Sequence, residues 1–171
     1  MEVSSHALVM GRVDGVIFDV AAFTNLGRDH LDFHKTLDNY FEAKARLFTP
    51  QLARTAVINV DDPRGQELAR RCAENGVRVV STSVTVESDY QVISWTPDAQ
   101  LGSRVEVRTP SGMRTMRLGI PGEYNVRNAV MALAMLEASG LSFDEVVDGL
   151  QDAQVPGRME RVPLGEGAPG V

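Results

Sequence analysis

A single cysteine, Cys72, excludes any internal disulfide and fits a reducing, cytoplasmic setting. Its side chain is expected to be a small buried group on a helix. Long apolar runs are missing as well. The longest, around residues 129–138, falls far short of the ~20 residues that a membrane span needs. No basic segment followed by an apolar one opens the chain, so no secretory leader is expected. Basic residues are in deficit, with 17 Lys and Arg against 23 Asp and Glu and a net charge of -6. That balance argues against a nucleic-acid partner, because such proteins carry a basic face. Anionic small molecules stay open, since a few placed arginines or a metal bind those locally. The scarcest charged residue is lysine, present only as Lys35 and Lys44 beside fifteen arginines. Finally, no Gly-x-x-x-x-Gly-Lys-Ser/Thr phosphate loop occurs. A nucleotide-using protein of this sequence needs its phosphate loop elsewhere.

What is present is ordinary material for one domain. The 171 residues are 43% apolar, enough for a real core. "GVIFDVAAFTNL" reads as a buried strand running into a polar Thr-Asn loop. "TLDNYFEAKARLF" has helical spacing and is expected to stop at Pro50. "TAVINV" and "VRVVST" are short strands around the helix "RGQELARRCAENG", which Gly76 closes. Residues 16–82 therefore alternate strand, helix, strand, helix, strand, the pattern of a parallel sheet with helices on its faces. Residues 89–96, 102–109 and 113–118 read as three more strands, joined by turns short enough for an antiparallel meander. A strong helix follows at roughly 125–138, then a second one capped by Ser142 with Glu145 three residues on. The expected fold is α/β: a three-layer, mostly parallel sheet with flanking helices plus a small antiparallel β-meander. Residues 1–155 form the expected domain, and the Pro/Gly-rich 156–171 the expected linker.

Four stretches carry chemistry-bearing side chains. In "TNLGRDHLDFH", His30 and His34 are four apart, but Leu31 follows His30, so the zinc-protease pattern His-Glu-x-x-His fails. Two readings remain: a capped polar loop, or a site just past a strand end, where α/β sheets bind ligands. "EVSSH" puts Glu2, two serines and His6 together, either around a helix cap or at a site. Lys44 sits on a half-apolar helix. Such lysines usually snorkel to water, yet a desolvated lysine is neutral more easily. A neutral amine adds carbon dioxide and becomes a carbamate, a two-oxygen anion suited to hard metals, which arginine cannot do. In "GEYNVRNA", Asn125 and Asn128 share a helix face, where Asn125 is either an N-cap or, with Asn128, a reader of an adenine edge or ribose.

Taken in order, "MEVSSHAL", "FTNLGRDHLDFH", "YFEAKARLF", "NVDD", "PGEYNVRNA" and "VPGRMERV" resemble the Mur ligases of peptidoglycan precursor synthesis. The likeness is to the central, ATP-binding domain of the branch that adds a diamino acid. It covers nearly the whole chain. The resemblance implies an ATP-dependent amide ligase acting through an acyl phosphate. Its substrates would be UDP-N-acetylmuramoyl-L-alanyl-D-glutamate (the UDP-MurNAc-dipeptide) and meso-diaminopimelate or L-lysine. It implies ATP and Mg2+ as cofactors. Glu2 and His30 match magnesium ligands, and Lys44 matches a catalytic lysine whose carbamate helps hold a second magnesium. Ser4 and Arg12 match substrate contacts, while Met10 departs from a Gln often found there. Asn125, Asn128 and Arg158 match ATP contacts. His34 is expected to be structural. The fragment would be incomplete by itself, and a monomer with neither membrane nor nucleic-acid partner. Two alternatives stand beside this: a folylpolyglutamate synthase-like ligase, and a non-catalytic nucleotide-binding module. A metal hydrolase built on His30, His34 and the aspartates is the least supported.

Overall fold

Alternation of two decides the centre of the molecule. In Ala53–Asn59, Val57 points to one face of a sheet and Ala56 and Ile58 to the other. A strand apolar on both sides must be covered twice, and helices do that here. The computed structural model describes residues 1–97 and 102–151. Among them, six strands form one sheet in sequence order: β1 (Phe18–Phe23), β2 (Ala53–Asn59), β3 (Arg78–Ser83), β4 (Tyr90–Pro97), β5 (Ser103–Thr109) and β6 (Gly112–Leu118). The helices are α1 (Ser5–Val9), α2 (Leu31–His34), α3 (Leu37–Ala45), α4 (Pro63–Glu74), α5 (Glu123–Ala138) and α6 (Phe143–Gln151).

β1 to β4 pair in parallel and β4 to β6 antiparallel. The expected parallel sheet plus meander is therefore what forms. The join between the halves was not foreseen. A parallel neighbour normally needs a crossover of a dozen or more residues, yet only residues 84–89 separate β3 from β4. The loop bulges out and returns level with the end of β3, so only Thr82–Tyr90 and Ser83–Gln91 pair. Asp89 pins this loop by accepting from the Ser81 backbone N–H at 2.8 Å and the Ser81 hydroxyl at 2.7 Å. β4 then runs on past the end of the parallel sheet.

Each face has its own core. On one, α5 and α6 lay Val126, Val130, Leu133 and Val146 over Val57, Val80, Val105 and Val107. On the other, α1, α3 and α4 pack Leu8, Phe41, Leu68 and Cys72 against Ala56, Ile58 and Phe23.

Several expected boundaries move. α3 ends at Ala45, before Pro50 is reached. The chain tightens there into three-residue turns, Leu47 N–H to Lys44 C=O at 3.1 Å and Phe48 N–H to Ala45 C=O at 3.0 Å, which swing Leu47 and Phe48 into the core. α5 starts at Glu123, because Gly122 supplies the positive-φ N-cap (φ 98) without a side-chain cap. Asn125 is thus inside the first turn and not the cap, and its amide donates to the Pro121 carbonyl at 2.6 Å. Residues 1–4 are irregular. The Ser142–Glu145 capping box forms as expected, with Glu145 accepting from the Ser142 N–H at 2.8 Å. No helix among the described residues is long and apolar enough to cross a membrane.

Candidate functional site

The carboxyl ends of parallel strands are where an open α/β sheet leaves a crevice. Here β1, β2 and β3 end around a cavity of about 440 Å³, walled on the far side by the first two turns of α5. Thr24 and Asn25 enter it from the end of β1, Asn59 and Asp61 from the end of β2, and Tyr124 and Asn128 from α5. Its floor is apolar, with Val84, Val130 and Met131.

The polar wall is braced rather than loose. Asn59 donates its amide to the Thr24 carbonyl at 2.8 Å and accepts from the Asp61 N–H at 3.0 Å. Asp62 caps α4 through the Arg64 N–H and also accepts from the Leu26 N–H, both at 2.8 Å. The loop leaving β1 is therefore tied twice to the turn after β2. Asp61 accepts from Ser83, Val84, Thr85 and Arg127. Burial works to raise its pKa, but the hydrogen bonds from Ser83, Thr85 and Val84 and the Arg127 charge outweigh it, and the carboxyl titrates below its ordinary 3.8.

The same β1 loop continues to a second cluster. His30 caps α2 in the left-handed region (φ 56), its N–H held by Asp29 at 2.8 Å. A non-glycine residue there is strained, and such strain gathers at functional positions. Lys35, at the other end of this single turn, also has positive φ (69). The His30 ring stands edge-on to Tyr40, centroids 5.8 Å apart, and Lys44 Nζ lies 5.1 Å from the centroid of that same ring. Lys44 is half-buried. His6 lies between, 5.0 Å from His30 and 5.5 Å from His34. His34 is buried, bonded to Ser5 Oγ at 2.9 Å and stacked on Tyr40. Burial, then the neighbouring His6 and His30, push its pKa below the ordinary 6.5.

The sequence-derived residues thus fall into groups. His30 and Lys44 meet at Tyr40, and Asn128 lines the cavity with Asn125 on the adjoining turn. Glu2 and Arg12 are exposed on the approach to and exit from α1. Ser4 is the N-cap of α1, accepting from the Ala7 N–H at 3.2 Å. Arg158 lies outside the described residues. Among the described residues no three His, Cys, Asp or Glu side chains converge on one point as a cation site. Sequence reasoning missed Asn59, Asp61 and Arg127. The "NVDD" run directly after a buried strand was the available signal.

The model of the Mur ligase middle domain matches residues 1–136. The chain belongs to the Mur ligase family. Over 97% of its length this Mur ligase chain is 43% identical to the UDP-N-acetylmuramoyl-L-alanyl-D-glutamate–2,6-diaminopimelate ligase of Streptomyces coelicolor, covering 33% of that protein. A solved structure of a ligase with the same name superposes with a TM-score of 0.86 at 32% identity, over 96% of this chain and 34% of the other. A MurF ligase from Thermotoga maritima, solved in complex with ADP, shares the fold at 19% identity and a TM-score of 0.73, over 91% of this chain and 35% of that one. The Mur ligase chain spans about a third of the length of the curated relatives it matches.

Proposed function

We propose that this chain is the central, nucleotide-handling part of an ATP-dependent ligase that joins 2,6-diaminopimelate to UDP-N-acetylmuramoyl-L-alanyl-D-glutamate. One observation carries the reading. A single loop, residues 24–30, lines the cavity with Thr24 and Asn25 and then delivers His30 to the ring that Lys44 also faces. A nucleotide held in the cavity and a cation held at the His30–Lys44 cluster would be neighbours. The relatives' names supply the substrates, and the diamino acid among them is diaminopimelate.

The reaction is amide formation in two steps. The γ-phosphoryl group of ATP passes to the terminal carboxylate of the UDP-MurNAc-dipeptide. The amine of the diamino acid then attacks the acyl carbon of this acyl phosphate and phosphate leaves. Such transfers depend on positioning and charge neutralisation. Asn125 and Asn128 offer amides to the base or ribose, and Arg158 reaches the nucleotide from the segment after α6. Ser4 and Arg12 bind the UDP-MurNAc-dipeptide. Residues 1–155 act as the domain and 156–171 as its linker, in a cytoplasmic monomer with no nucleic-acid or membrane partner.

The donor chemistry fits magnesium on one condition. An ammonium ligates nothing, and Glu2 with His30 makes too small a set for a metal that prefers oxygen. Carbamylated Lys44 adds two hard oxygens, so Glu2, His30 and carbamylated Lys44 would hold Mg2+. When bound, the metal supplies charge neutralisation between the phosphates and the carboxylate. Lys44 is half-buried and faces the same Tyr40 ring that His30 meets, which places a carbamate on it beside His30.

The test is Lys44→Ala in the full-length enzyme. Ligation is expected to fall at least about 1,000-fold with the fold intact by circular dichroism. Carbon-13 NMR of the wild type in labelled bicarbonate is expected to show a carbamate resonance that the variant lacks. Undiminished turnover in the variant would sink the role of Lys44.

A further inference from the structure

Resting on the reading of the cavity as the nucleotide site, we propose that Asp61 and Arg127 are positioning residues whose ion pair holds Asn128 at the cavity wall. Asp61 lies in the turn after β2, and its side chain is only 9% exposed. Oδ2 accepts from the Val84 N–H at 2.9 Å and from Arg127 Nη1 at 2.6 Å. Oδ1 accepts from the Ser83 hydroxyl at 2.5 Å and from the N–H and hydroxyl of Thr85. One carboxylate thus joins the turn after β2, the turn after β3 and α5, three of the walls of the cavity.

Arg127 completes the strut. Its Nη2 and Nε both reach Glu123 Oε1, at 2.6 and 3.0 Å, one helical turn back. Three of the five guanidinium N–H donors, one on each nitrogen, are therefore spent between Asp61 and Glu123, which makes the group a brace. α5 needs one, because Gly122 caps it without a side-chain bond and its first turn projects as the cavity wall. Asn128 is the next residue along the helix. Slackening the strut lets its amide drift from where a bound base would meet it, and an ångström of drift is enough to weaken binding. Removing Arg127 also leaves the Asp61 carboxylate facing the cavity without its countercharge, which repels an anionic nucleotide.

The test is steady-state kinetics on the full-length enzyme with Arg127→Gln, Arg127→Lys and Asn128→Ala. For Arg127→Gln the KM for ATP is expected to rise about 10-fold, with kcat at saturating ATP within about 3-fold of wild type and the KM for the diamino acid unchanged. Arg127→Lys, which keeps the charge and one contact, is expected to recover most of that loss. An unchanged KM for ATP in Arg127→Gln overturns the strut. So does a fall in kcat alone, or an equal change in every parameter. Asn128→Ala separates the two claims. If it raises the KM for ATP while Arg127→Gln does not, only the strut fails. If neither raises it, the nucleotide reading fails with the strut. Should Arg127→Gln not fold, Arg127→Lys decides: a rise of about 2-fold supports the strut and no rise overturns it.

Discussion

At the scale of single residues, His34 illustrates a group displaced from solvent by its own neighbours. Its ring is 6% exposed, bonded to Ser5 and stacked on Tyr40 at 5.1 Å. Its folded pKa is lowered, so it is neutral in the fold where the unfolded chain's histidine, at 6.5, begins to charge. The unfolded state therefore binds the extra proton first. Stability from this group is complete above about pH 6.5 and is lost as pH falls from there toward the folded pKa. Thermal melts of the chain are expected to show a Tm lower by about 2–5 °C at pH 5.5 than at pH 7.5, and His34→Gln is expected to flatten much of that slope. An identical slope in the variant would assign the effect to other groups. The structural role of His34 was legible in the sequence only by default, once His30 had been preferred as a ligand. Its partner Ser5 lies 29 residues away, and no local pattern records such a meeting.

At the scale of elements, α4 leans on β2 through a glycine. A Cβ built on Gly65 would sit 1.9 Å from the Asn59 carbonyl oxygen and 3.0 Å from its carbon. That is backbone against backbone, which no rotamer change relieves. Asn59 also holds Thr24 and Asp61, so any displacement there opens the cavity. Gly65→Ala is expected to destabilise by about 3 kcal/mol in urea unfolding. Gly149→Ala, inside α6 with nothing within 4 Å of its Cβ, is expected to stabilise by about 0.5–1 kcal/mol. Equal effects of the two changes would refute the close contact. The parallel strands, the meander, α4 and the Ser142 cap were all legible, because period, turn residues and caps are local signals. The short β3–β4 return was not, since it depends on Asp89 closing onto Ser81. Nor was the early end of α3, where burying Leu47 and Phe48 overrides a helical pattern that continues to Phe48. For the site, the sequence gathered the residues by resemblance. The cavity brace of Asn59, Asp61 and Arg127 needs three elements in space and left only "NVDD" as a trace.

At the scale of the whole molecule, two cores share one sheet, and β2 belongs to both. Val57 enters the core under α5, while Ala56 and Ile58 enter the core under α4. Neither core can come apart without disturbing the strand that serves the other, so the two faces should unfold together. Cys72 is a reporter for one of them. It is 0% exposed on the α4 side, its thiol directed at the Phe48 carbonyl at 3.7 Å and pushed up to about 11 by burial. In the native state it is expected to resist a thiol reagent at pH 8, reacting only when the α4 face opens. Leu133, fully buried in the opposite core, supplies the perturbation. Leu133→Ala should cost about 2–5 kcal/mol. If the sheet couples both faces, labelling of Cys72 accelerates by the factor matching that loss, although the mutation lies across the sheet from the thiol. If labelling keeps its wild-type rate while urea melts register the full loss, the faces unfold independently and β2 does not unite them.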